Sequence, residues 1–106
     1  MTAALIVPSL VQKTYEYSTK KTGTPIRLVR YFFKGTKVND SDWIVTATYF
    51  QSGTPLLWNA ITIDTSGNGI SEVTVGMTYT ASGTKLTLAG GTTGTTYGEI
   101  WFEDAG

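Results

Sequence analysis

Carboxylates are the only side chains in this sequence that cluster closely enough to suggest acid–base chemistry. Asp40 stands two residues from Asp42, and Glu99, Glu103 and Asp104 lie together near the C-terminal end. Paired carboxylates hydrolyse glycosides, one as acid and one as base or nucleophile. The 106-residue chain has no His and no Cys, which removes the imidazole base and the thiolate nucleophile. Asp40 and Asp42 fall in Val38-Asn39-Asp40-Ser41-Asp42, where short polar side chains form turns. Glu99 and Glu103 share a strand face with Trp101 and read as solvated. The expectation is a protein that is not an enzyme.

Asp64-Thr65-Ser66-Gly67-Asn68-Gly69 offers oxygen ligands at positions one, three and five, with Gly at six, as a calcium loop begins. Position twelve is Val75 where a bidentate Glu is required, so the segment reads as a turn. No cofactor and no metal are expected. Lys20-Lys21, with Arg27 and Arg30 near Tyr31 and Phe33, pairs charge with stacking surfaces in the manner of a nucleic-acid site. Net charge is zero, however, and Arg27 and Arg30 point to opposite faces of an ideal strand, so no nucleic-acid partner is expected. Trp43, Trp58 and Trp101, with Tyr15, Tyr17 and Tyr49, are the material for a flat sugar-stacking platform or for a core. Trp43 reads as core. Trp58, between Leu56-Leu57 and Asn59, is the aromatic placed at the surface.

The charges are divided along the chain. Lys13, Lys20, Lys21, Arg27, Arg30, Lys34 and Lys37 face only Glu16 in the first 37 positions, and Lys85 stands alone against seven later acids. The two parts carry +6 and −6 (7 − 1 and 1 − 7). Such a division suggests electrostatic docking, with Lys20 and Lys21 among its contacts. Apolar anchors supply most of the affinity in docking. Leu5, Ile6 and Val7 fit that role, in an arm over residues 1–9 that precedes a domain over 10–106. The arm either inserts into a neighbour or adds an edge strand to its own sheet. Met1 to Val7 lacks a basic leader and Pro8 interrupts it, so neither a secretory signal nor a membrane span is expected.

Elements able to position these residues are short strands. Twenty Thr and twelve Gly dominate, the former suited to pleated surfaces and the latter to turns. Period-two alternation predicts strands over Leu10–Ser18, Ile26–Phe33, Trp43–Phe50, Leu56–Ile63, Ile70–Val75, Met77–Thr80, Lys85–Leu88 and Thr96–Glu103. Ala81-Ser82-Gly83-Thr84 joins two of them as a hairpin or a kinked connection. No window carries a helical stripe. Seven to eight short strands with turn signals at this spacing predict one all-β domain, an antiparallel β-sandwich or small barrel.

The strand order resembles the immunoglobulin-like sandwich. Trp43 opens a middle strand, and the Gly-rich turn Gly94-Thr95-Thr96-Tyr97 feeds a Tyr-bearing last strand. Without Cys the chain cannot belong to the antibody family itself. Thr- and Gly-rich Ig-like proteins of this length resemble the decoration (cement), collar and fibre proteins of tailed-phage virions. That resemblance implies a structural protein made in a host cytoplasm and incorporated into a virion. It implies other virion proteins as partners and a homo-oligomer or multicopy lattice as its setting. A carbohydrate-binding module using Trp58 and surface Tyr is the alternative.

Overall fold

Seven strands and one helical turn form among residues 3–64, 77–89 and 93–104, the residues that this computed structural model describes. They are β1 (Leu10–Thr19), β2 (Pro25–Lys37), β3 (Asp42–Val45), α1 (Thr46–Tyr49), β4 (Leu57–Asp64), β5 (Met77–Thr80), β6 (Lys85–Leu88) and β7 (Gly94–Glu103). The strands make two antiparallel sheets, ordered β1-β2-β7-β4 and β3-β6-β5. The predicted Ile70–Val75 strand and the Asp64–Gly69 loop lie outside the described residues, apart from the backbone of Asp64.

Alternation explains which side of each strand is buried. On β2, Val29, Tyr31 and Phe33 are buried, while Leu28, Arg30 and Phe32 between them are half-buried. On β7 the buried positions alternate from Gly94 through Thr96, Gly98, Ile100 and Phe102. These face Ile44 of β3 and Leu86 and Leu88 of β6, so one apolar core lies between the two sheets. Gly98 is required there by close approach, since a Cβ would stand 2.4 Å from Phe33 Cζ.

Residues 43–50 do not form the single strand that their alternation predicts. β3 pairs with β6 only as far as Val45 opposite Lys85. Thr46 then donates its backbone N–H to the Thr84 carbonyl at 2.9 Å, and beyond it the partner strand turns away at Thr84, whose φ is +47°. With no ladder to join, the backbone closes on itself, and Phe50 N–H donates to Thr46 O at 2.9 Å. That turn brings the Phe50 ring to 5.3 Å from Tyr31 and 5.7 Å from Phe33. The same parity corrects Trp43. Asp42 and Ile44 take the buried positions of β3, so Trp43 faces outward, half-buried beneath the Lys85 ammonium 4.5 Å from its ring.

The four-residue strands of the smaller sheet cover only part of β2, whose thirteen residues run about 40 Å. β1 lies beyond that cover. All ten of its residues are exposed, and it contributes nothing to the core. The β1–β2 turn is tight, with Gly23 N–H on Lys20 O at 2.8 Å and a Gly23 φ of +88°. No helix among the described residues is long and apolar enough to cross a membrane.

Candidate functional site

The side of the larger sheet away from the core is not a plain solvated face. Register across the four strands lines up Gln12, Phe32, Glu99 and Asn59 in one row. Leu10, Lys34, Tyr97 and Ile61 form the next. Between these rows lies a groove of about 430 Å³, floored by the backbone of Phe33, Ala60 and Gly98. Its walls combine two aromatic rings and two aliphatic side chains with two amides, an ammonium and a carboxylate. Volume and lining both suit a small polar ligand with apolar faces.

One end of the groove is held rigidly. Glu99 accepts from Trp101 Nε1 at 2.9 Å through one oxygen and from Arg30 Nη2 at 3.2 Å through the other. The Arg30 guanidinium lies 3.9 Å from the Phe32 ring centroid and 5.3 Å from that of Trp101. Stacking and ion pairing thus fix one planar group from two sides.

Two further acids near the C-terminal end are paired as well. Lys20 pairs with Glu103 at 3.4 Å, and Arg27 pairs with Asp104. Folding lays basic β2 beside acidic β7, and these pairs, with Arg30–Glu99, join the early basic and later acidic parts of the sequence within one molecule. Four residues of strand separate Glu99 from Glu103, about 13 Å of rise. Glycoside hydrolysis needs carboxylates about 5–10 Å apart.

Asp42 serves the fold. Its Oδ2 accepts the Val38 and Asn39 N–H groups, both at 2.9 Å, and its Oδ1 accepts Ala4 N–H at 2.8 Å. Burial pushes this carboxyl up, but the three backbone donors and the Lys37 charge outweigh burial and hold it below the ordinary carboxylate range. Asp40 remains on the surface, accepting from Ser41 Oγ at 3.1 Å.

The residues singled out from the sequence are not brought to one place. Ile6 is 3% exposed and belongs to the chain's own core, with its N–H on Trp43 O at 2.7 Å and Leu5 bridged to Trp43. Of the two modes open to the arm, the observed one is addition to its own domain. Leu5 and Val7, at 47% and 63% exposure, face away and remain free to meet a partner. Lys20 and Lys21 sit at the opposite end of the β1–β2 hairpin. Trp58 faces the smaller sheet, half-buried, donating from Nε1 to Met77 O at 3.4 Å, with its ring 6.2 Å from Tyr79. It is not the surface platform expected of it, because the even positions of β4 face inward with Ala60 and Thr62. Sequence reading missed Phe32, Tyr97, Gln12 and Asn59. Their alternation was visible, but only strand order places them side by side.

Comparison of the chain with protein-family models, curated proteins and solved structures returns no match.

Proposed function

We propose that this chain is a non-enzymatic structural subunit of a multicopy assembly, an Ig-like sandwich of the decoration, cement, collar or fibre kind found on tailed-phage virions. One observation carries the reading. β1 is a ten-residue edge strand exposed on both faces, and it displays Leu10, Val11, Tyr15 and Tyr17 to solvent. Strands that bury nothing in their own domain are maintained where a neighbour covers them, since a bare edge otherwise promotes aggregation. Leu5 and Val7 extend the exposed apolar surface beyond the start of β1, and repeated copies on one particle make such attachment multivalent. The decisive experiment follows the full chain through a density gradient of particles from its source. Co-sedimentation of the native chain, lost in a Tyr15→Glu/Tyr17→Glu variant that still folds, is the expected result. A chain found only free of particles overturns the proposal.

The groove favours a second reading, a carbohydrate-binding module. Phe32 and Tyr97 supply stacking surfaces there, with the Gln12 and Asn59 amides as hydrogen-bonding groups. Glycan retention on an array, abolished by Phe32→Ala or Tyr97→Ala but not by Trp58→Phe, supports it; retention of no glycan removes it.

A further inference from the structure

We infer that β1 pairs antiparallel with β1 of a second copy of this chain, Thr14 facing Thr14 across a two-fold axis, so that two larger sheets join into one eight-stranded sheet. This rests on the reading of β1 as a docking strand and names its partner. Among the described residues β1 is paired on one side only, with β2. Its sequence, Leu-Val-Gln-Lys-Thr-Tyr-Glu-Tyr-Ser-Thr, contains no Pro, and its ten-residue pairing with β2 runs without a bulge. Within β1 itself the only devices of the kind that blunt an edge are the charges of Lys13 and Glu16. One Lys and one Glu make the strand neutral, so a copy of itself is not repelled.

Symmetry restricts the register. A two-fold relating adjacent antiparallel strands stands perpendicular to the sheet, so each residue opposes one of its own parity. Registers pairing seven or more residues centre on Lys13, Thr14, Tyr15 or Glu16. Centring on Lys13 or Glu16 sets like charges directly opposite each other, which is destabilising. Centring on Thr14 sets Val11 opposite Tyr17, Lys13 opposite Tyr15, and Gln12 opposite Glu16, each twice. These are β-branched–aromatic, cation–aromatic and amide–carboxylate pairs, and they cover Tyr17, which is 78% exposed in the monomer. Centring on Tyr15 instead leaves Val11 against Thr19.

The pairing also completes the groove. Leu10 and Gln12 form its open end on β1. In this register the partner's Ser18 and Glu16 stand next to them on the same face, lengthening both rows by one residue. The perpendicular axis keeps the two grooves on one side of the joined sheet and the two smaller sheets on the other.

The test uses the full chain, in which any disulfide formed by an introduced Cys must be intermolecular. Directly opposed residues lie within disulfide reach, whereas diagonal ones do not. Mild oxidation is expected to cross-link Thr14→Cys efficiently and Tyr15→Cys poorly. Sedimentation from about 1 µM to about 1 mM is expected to show a monomer–dimer equilibrium, at least about tenfold weaker for Thr14→Lys. A monomer throughout, or efficient cross-linking at Tyr15 but not Thr14, overturns the inference. If the native chain is monomeric yet the Tyr15→Glu/Tyr17→Glu variant leaves the particle, β1 docks on another partner, and only the dimer is lost. If the dimer forms through Thr14 but the chain never joins a particle, the assembly role fails and the dimer stands.

Discussion

Ile6 rests on the bare backbone of Gly35. A Cβ added at Gly35 would come within 2.9 Å of Ile6 Cγ2, so the absence of a side chain on β2 is what lets the N-terminal segment reach the core. Gly35→Ala is expected to displace the segment and cost about 1–3 kcal/mol by overpacking. Ile6→Ala leaves a cavity in its place and is expected to cost about 2–5 kcal/mol. Denaturant unfolding measures both. Amide exchange separates them, since Gly35→Ala should expose the Ile6 N–H, now held on Trp43 O at 2.7 Å. Unchanged protection of that amide in Gly35→Ala would show the contact to be incidental.

Gly98 makes the corresponding contact on β7, beneath the Phe33 ring. Gly98→Ala is expected to destabilise by about 1–3 kcal/mol, because the ring is buried and Asn59 O, 3.0 Å from the new Cβ, blocks the other way out. Trimming the ring should recover part of the loss, so the Gly98→Ala/Phe33→Leu double variant should be more stable than the sum of its single changes predicts. Strict additivity would show that the two positions do not press on each other.

Asp42 predicts a specific acid sensitivity. Its folded carboxyl releases its proton more readily than the unfolded one, so its contribution is complete above the ordinary carboxylate range. That contribution disappears as pH falls through the lower folded value. Asp42→Asn is expected to cost about 1–3 kcal/mol near neutrality. The gap to the native protein should shrink progressively below about pH 4. Chemical denaturation across that range tests this, and a gap independent of pH would assign the loss to packing.

The internal ion pairs change what salt should do. A chain with two oppositely charged surfaces would associate markedly more slowly as salt rises from about 0.05 to about 0.5 M. Here Arg30–Glu99, Arg27–Asp104 and Lys20–Glu103 are satisfied within one molecule. Association of the full chain is therefore expected to change by less than about threefold over that range. A double-mutant cycle on Arg30 and Glu99 should give a coupling of about 0.5–1 kcal/mol, since both groups are half-buried and Arg30 is held on the Phe32 ring. A steep salt dependence would return docking to electrostatics.

Alternation by itself marked out most of the described strands and the two faces of each, β3 and the helical turn after it excepted. Ile26, Leu28 and Phe32 separate from Val29, Tyr31 and Phe33 in the bare sequence, as Gly98, Ile100 and Phe102 separate from Glu99 and Trp101. The turns at Gly23 and Gly83 were equally legible, because positive φ favours Gly. Which face turned inward was decided by the second sheet, which covers the middle of β2 and stops short of β1. Tertiary structure alone also ended β3 at Val45, where its neighbour turned away. Charge shows the difference most clearly. Order along the chain suggests two poles, but pairing places residues 27 and 30 beside residues 99 to 104, and local patterns contain no information about which distant strand will be the neighbour.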